Sequence, residues 1–293
     1  MREEIRSLEE AMAREGYIAD AALATALQLA ADLGKLLLVE GDAGVGKTEI
    51  AKVLAKLRGT ELIRLQCYEG LDVATALYEW NYPRQMLRVR LAESEGLGAE
   101  ATEATIFSRE YLLERPLLRA LTRGEGPAVL LIDEIDRADE AFEAFLLEVL
   151  SDFQVTIPEL GTIRAVHRPH VVLTSNCTRE IGDALRRRCL YLYIDHPTLE
   201  KEIRILRARV PGAGERLAHE IAKFVQGLRA RRMMRSPGVA ESIDWLQALT
   251  RLHRDHLDLE SVEATLGCVI KDRHDLGELR PELERLVEEA RAS

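Results

Sequence analysis

Three short stretches hold residue types at spacings suited to chemistry. The first is GDAGVGKT, Gly41–Thr48, between an apolar run and a helical run. In the pattern GxxxxGK[ST] the glycines let the backbone turn so that its N–H groups converge on an anion, and the helix start behind them adds partial positive charge. Lys47 then reaches β and γ phosphates, and the Thr48 hydroxyl serves as a Mg2+ ligand. Gly41, Asp42, Ala43, Gly44, Val45, Gly46, Lys47, Thr48 and Glu49 are therefore candidate contacts of ATP. The second stretch, AVLLIDEID (Ala128–Asp136), is a buried run that ends in acids. Asp133 is placed to hold Mg2+ through water and Glu134 to polarise an attacking water, a division of labour that suits hydrolysis. The third, VVLTSN (Val171–Asn176), ends in an amide that can donate and accept at once. If its strand lies between the other two, Asn176 can orient that water; otherwise it is a turn-forming asparagine at a strand end.

The elements that must carry these residues follow from hydrophobic periodicity. Leu36–Glu40, Glu61–Gln66, Ala128–Asp133, His170–Ser175 and Leu190–Ile194 are continuous apolar runs, the mark of strands buried on both faces. Helical stretches separate most of them, which predicts an α/β domain with a parallel five-stranded sheet. Gln154–Val166 predicts a hairpin around Gly161. Helical patterns cover Arg2–Arg14 and Ala19–Leu33. After Pro197 the strands stop, and helices are expected at Leu199–Arg209, Glu215–Ala230, Val239–His253, Leu259–Cys268 and Leu283–Ala290. Two domains are expected, an α/β domain over 1–197 and a smaller all-helical one over 198–293.

Composition limits the alternatives. The 293 residues carry a net charge of −10, and the part from Thr198 onward holds 17 basic and 17 acidic residues. The whole excess of acid thus precedes it, which argues against broad nucleic-acid binding. No apolar run reaches a membrane span, and the acidic start MREEIRSLEEAMAREG is no signal peptide, so a cytoplasmic protein with no integral membrane segment is expected. Cys67, Cys177, Cys189 and Cys268 form no CxxC and are expected to be reduced and buried. Tyr78, Trp80 and Tyr82 alternate in an aromatic-poor chain, either packing a small core or gripping a protein partner. The basic run Arg229–Arg235 has methionine rather than aromatic neighbours, unlike a single-strand binder. His167, His170 and His196 lack metal-ligand spacing and read as surface or hinge histidines.

Taken together, these stretches resemble an AAA+ ATPase: Walker A at Gly41–Thr48, Walker B at Leu130–Glu134, a sensor-1 position at Asn176 and a helical lid. The finer resemblance is to the MoxR branch, through the hairpin before the sensor strand and an enlarged segment at Tyr68–Arg123 matching its helix-2 insertion. LYEWNYPRQMLRVR (Leu77–Arg90) and RSPGVAESIDW (Arg235–Trp245) are most similar to the CoxD group, associated with maturing the molybdenum–copper carbon monoxide dehydrogenase. The resemblance implies strand order 5-1-4-3-2 and a ring, usually of six subunits, with ATP between neighbours. It also implies a von Willebrand A-type partner and an apo-metalloenzyme substrate. ALRRRC (Ala184–Cys189) corresponds to the stretch bearing the arginine finger, with Arg188 on the finger and Arg187 before it. Arg186 has no family role and is expected to be solvated or paired with an acid. Tyr17 and Ile18 fall where the family places the adenine. One departure stands out: Gly238 occupies the place of the usual sensor-2 arginine. Arg235, three residues earlier, either reaches the phosphates from another angle or is a helix-start surface charge.

Two other function classes fit part of this pattern. A DNA-remodelling motor of helicase or clamp-loader type is disfavoured by the acidic balance and by the lack of an appended DNA-binding module. A nucleotide switch with residual hydrolysis is disfavoured by the Asp133–Glu134 pair together with Arg188.

Overall fold

The structure, a computed structural model, describes residues 2–95 and 98–292. Its central sheet is built from β1 (Leu36–Gly41), β2 (Leu62–Gln66), β3 (Val129–Asp133), β4 (His170–Ser175) and β5 (Cys189–Ile194). Their spatial order is β2-β3-β4-β1-β5, the expected 5-1-4-3-2. Neighbours pair in parallel, with Gln66 opposite Asp133, Ile132 opposite Leu173 and Glu40 opposite Ser175. β1 and β3 are buried along their whole length. Helices on both faces of a parallel sheet leave no solvated side, which is why these strands read as unbroken apolar runs. β2 lies at an edge and alternates, with Arg64 exposed between buried Ile63 and Leu65.

The chain folds as two compact units. One comprises Thr25–Glu40 and Leu54–Leu192; the other comprises Met1–Ala24, Gly41–Val53 and Tyr193–Ser293. In the first, the expected hairpin forms from Gln154–Ile157 and Gly161–Arg164, paired antiparallel with Thr156 opposite Thr162. The segment between β2 and β3 contains something the sequence does not announce, an antiparallel ribbon of Tyr78–Trp80 with Leu112–Glu114. Between its arms lie the helices Tyr82–Glu95 and Ala99–Ile106. Trp80 is buried edge-on to Phe107 at 5.4 Å and to Tyr78 at 6.2 Å, and it belongs to the same apolar core as the sheet residues Ile63, Leu65 and Leu130. Tyr82 points to solvent. The expectation of four buried cysteines is corrected: Cys67 is buried, Cys189 and Cys268 are half-buried, and Cys177 is exposed on the loop after β4.

In the second unit the helices Leu199–Arg209, Glu215–Arg229, Val239–Arg251, Leu259–Thr265, Arg273–Leu279 and Leu283–Arg291 share one apolar core. Phe224 and Trp245 meet at its centre, 5.1 Å apart. The Trp245 indole N–H donates to Thr265 Oγ1 at 2.7 Å, which a buried indole requires. Arg273–Leu279 was not expected, because Gly277 weakens its pattern; Asp272 starts it by accepting from the N–H groups of His274 and Asp275.

Candidate active site

β1 runs into the loop Gly41–Gly46, and the helix Lys47–Arg58 follows. Gly41 is required at the loop entry, since a Cβ there would stand 2.3 Å from the Ile194 carbonyl oxygen. Lys47 is buried, and its Nζ donates to the carbonyls of Gly41 and Asp42, each at 2.7 Å. Asp42 is exposed, with Oδ2 3.2 Å from His196 Nε2. Burial, aided by the Arg229 charge, holds the His196 pKa below its ordinary 6.5 against the pull of Asp42 and Glu202.

Beside this loop lies a cavity of about 230 Å³. Gly44, Val45 and Gly46 form one wall, and Tyr17, Ile18 and Ile243 are among the residues of the others. The Tyr17 ring edge is 3.7 Å from where a Cβ on Gly46 would stand. Burial pushes its phenol above the ordinary 10, reinforced by the charges of Asp20 and Glu49. A mainly apolar cavity with a few polar groups at its edge, beside a phosphate-type loop, suits a small ligand with an apolar face. Its polar rim includes Glu49, ion-paired to Lys52 at 2.5 Å and to Arg209 at 3.4 Å. Burial raises the Glu49 carboxyl, but those two cations outweigh it and leave the group below its ordinary value. The structure thus gathers Tyr17 and Ile18 with Gly44–Gly46. It places Arg235 elsewhere, on a separate cavity of about 550 Å³ beside Asp42, Ala43 and Lys271. The Arg235 side chain is exposed, and its backbone N–H donates to Asp275 Oδ2 at 3.1 Å.

The acids belong to the other unit. Asp133 ends β3, buried. Its Oδ1 accepts from Thr174 Oγ1 at 2.5 Å and its Oδ2 from Arg64 Nη2 at 2.6 Å. Glu134 turns the chain in the left-handed region, φ 56° and ψ 51°, and its N–H donates to the same Thr174 hydroxyl at 3.0 Å. Its Oε2 accepts from Gln66 Nε2 at 3.0 Å and from Arg137 Nη1 at 3.2 Å. The Cys67 thiol is pushed up to about 12 by burial and then by the charges of Asp133, Asp136 and Glu134, so it stays protonated. Asn176 follows Ser175 at the carboxyl end of β4, half-buried, and its side chain makes no hydrogen bond among the described residues. Asp136 Oδ2 accepts from the Thr178 N–H at 3.0 Å and from its hydroxyl at 2.6 Å, tying the loop after Glu134 to the loop holding Asn176.

The three arginines separate. Arg186 is half-buried, 3.2 Å from Glu40 Oε2, with its guanidinium 5.2 Å from the Tyr191 ring centre. Arg187 and Arg188 are exposed, and Arg188 Nη1 donates to Ser151 Oγ on the helix Glu140–Asp152. The motifs did not reveal Arg64, Gln66 and Thr174. Their signal is the pairing register, which sets Gln66 opposite Asp133 and brings the end of β4 beside that of β3.

Comparison with known proteins agrees with this layout. The AAA domain (dynein-related subfamily) matches residues 36–189, from β1 to the start of β5. The gas vesicle ATPase GvpN of Haloferax mediterranei is 26% identical over 271 residues, covering 87% of this chain and 74% of its own. A Staphylococcus aureus protein is 25% identical over 249 residues, covering 83% and 85%. Among solved structures, a Cytophaga hutchinsonii protein aligns at TM-score 0.52 and 15% identity, over 98% of this chain and 94% of its own. The RuvB Holliday junction branch migration motor of Thermotoga maritima aligns at TM-score 0.50 and 19% identity, over 90% and 74%. At those identities the two structures share the fold. The family match spans more than half of the 293 residues, and the chain belongs to the AAA domain family of ATPases, in its dynein-related subfamily.

Proposed function

We propose that the chain is a MoxR-type AAA+ molecular chaperone that spends ATP to remodel an apo-metalloenzyme, of the kind matured into a molybdenum–copper carbon monoxide dehydrogenase. The observation that carries the ATPase part is the buried Lys47 on its loop beside the purine-sized cavity of Tyr17 and Ile18. In this reading the N–H groups of Gly44–Thr48 and the Lys47 ammonium hold the phosphates, and Tyr17 and Ile18 flank the base. Thr48 and Asp133 are the residues suited to Mg2+: a hydroxyl and a carboxylate are the hard oxygen donors it prefers. Mg2+, when bound, screens the phosphate charge. Glu134 accepts the proton of the attacking water, and Asn176 holds that water by its amide. Arg188, with Arg187 beside it, projects into a neighbouring subunit's site as the charge-stabilising finger. Residues 1–197 act as the ATPase domain and 198–293 as its lid.

The metalloenzyme part rests on LYEWNYPRQMLRVR and RSPGVAESIDW, the stretches similar to the CoxD group. A hexameric ring, a von Willebrand A-type partner and a cytoplasmic site of action belong to the same reading. No helix of the described residues is long and apolar enough to cross a membrane. The RuvB likeness does not favour a DNA motor, because it extends to fold alone and the chain carries a net charge of −10. Glu134→Gln tests the chemistry. The variant should bind ATP as the parent does and release no phosphate; parental turnover would remove Glu134 from its role. Stimulation of turnover by an apo-dehydrogenase supports the chaperone reading, and stimulation by DNA at ordinary salt overturns it.

A further inference from the structure

Gly238 does more than vacate a side-chain position. Its backbone lies on the phosphate loop: a Cβ on Gly238 would stand 2.7 Å from Gly44 Cα and 2.8 Å from the Ala43 carbonyl oxygen. The Gly44 carbonyl oxygen accepts the N–H of Val239 at 3.0 Å and of Ala240 at 3.3 Å. Those are first-turn amides of the helix Val239–Arg251, which have no partner within their own helix. Glu241 Oε2 closes the turn by accepting the Gly238 N–H at 2.9 Å.

A buried polar network fixes the turn. Glu202, fully buried, accepts from Arg229 Nη1 at 2.6 Å and Nη2 at 2.9 Å, from Ser242 Oγ at 2.7 Å and from Gln226 Nε2 at 2.9 Å. Arg229 Nε donates to the Pro237 carbonyl at 2.8 Å, and Gln226 Nε2 also donates to the Pro197 carbonyl at 2.9 Å. One carboxylate therefore connects Pro197, Pro237 and the first turn of the helix that caps Gly44. A charge so placed is costly unless every lone pair is used, and here four donors use them.

We propose that Glu202 and Arg229 are positioning residues for nucleotide binding, acting through the Gly238–Ala240 backbone, which fixes the Gly44 carbonyl of the phosphate loop. The physical link is peptide planarity. In a trans peptide the carbonyl and the next N–H point in opposite directions. Holding the Gly44 carbonyl on the Val239–Arg251 helix turns the Val45 N–H to the opposite face of the loop, as a phosphate donor. The lid thus sets the loop through its backbone, and any side chain at position 238 wedges the two apart. This inference rests on the ATP assignment of Gly41–Thr48 above.

The test uses the full chain, titrated with a fluorescent ATP analogue and followed by amide hydrogen exchange. Gly238→Ala should weaken nucleotide binding roughly tenfold, raise KM more than it lowers kcat, and speed exchange at Val239 and Ala240. Parental affinity together with parental exchange overturns the proposal. If Gly238→Ala does not fold, the double variant Glu202→Gln with Arg229→Met carries the test. It removes the charge pair as a unit; a near-parental melting temperature with weakened nucleotide binding supports positioning, and parental binding overturns it. Lys47→Ala separates the two layers. If it binds nucleotide like the parent, the loop assignment itself fails; if it loses binding while Gly238→Ala keeps it, only the lid contact fails.

Discussion

Thr174 donates its hydroxyl hydrogen to Asp133 Oδ1 at 2.5 Å, and the same oxygen accepts the Glu134 N–H at 3.0 Å. One buried hydroxyl on β4 therefore holds the Asp133 carboxylate that ends β3 and the backbone N–H of Glu134, which follows it. Thr174→Val removes that hydroxyl with little change of shape and takes one hydrogen bond from a buried carboxylate and one from a backbone N–H. Such losses cost about 1–3 kcal/mol. Urea unfolding should show that loss, and phosphate release should fall more than ATP affinity, because the groups disturbed are those assigned to water and metal. Turnover at the parental rate would show that the orientation of these acids does not limit the reaction.

Glu134 adopts φ 56°, which a residue with a Cβ occupies at a cost of roughly 1–2 kcal/mol. Non-glycine residues held there cluster at functional sites. Alanine and glycine at position 134 both delete the contacts to Gln66 and Arg137, so comparing them isolates the backbone. Glu134→Gly should be more stable than Glu134→Ala by about 1 kcal/mol, and neither should hydrolyse ATP. Equal stability of the two would mean that the turn relaxes when the carboxylate is gone.

Local sequence carried the sheet and the motifs because each is a local pattern. Leu36–Gly41 and Val129–Asp133 are buried on both faces, so nothing in them alternates. The Gly41–Thr48 spacing is imposed by loop geometry alone. What local sequence could not carry depends on register and on backbone packing. Arg64 looks like an interruption in LIRLQ until pairing sets Gln66 opposite Asp133 and brings its guanidinium to that carboxylate. Gly238 looks like a lost arginine until the backbone of Gly44 is found where its side chain would stand. The Tyr78–Trp80 ribbon leaves no mark in the sequence, because three-residue strands carry no period and helix-forming residues fill the space between its arms.

His196 makes the fold sensitive to acid. Its folded pKa lies below 6.5, chiefly through burial. Between that folded value and 6.5 the unfolded chain binds the extra proton, so stability rises with pH through the window. The contribution is complete above 6.5 and is lost as pH falls toward the folded value. His196→Gln should flatten this slope in urea midpoints measured from about pH 5 to about pH 7.5, relative to the parent. An unchanged slope would place the acid sensitivity on other groups.

The run Arg186–Arg188 separates by contact, and that division predicts three different variants. Arg186 is tied to Glu40 and lies over Tyr191, so Arg186→Ala should lower the melting temperature and leave the hydrolysis step of the folded protein largely intact. Arg187 and Arg188 stand exposed, with Arg188 held at its tip by Ser151. In the proposed role as charge-stabilising finger, Arg188 would supply roughly 10³–10⁵-fold in rate. Arg188→Ala should therefore keep ATP affinity and lose nearly all turnover, with Arg187→Ala losing less. If the finger works in trans, mixing Arg188→Ala with Glu134→Gln subunits recreates some sites with an intact Glu134 facing an intact Arg188. Phosphate release should then rise above that of either variant alone, to a maximum near equal proportions. If Arg188→Ala hydrolyses ATP like the parent, the arginine is surface charge; if the mixture stays as inactive as its components, it acts within its own subunit.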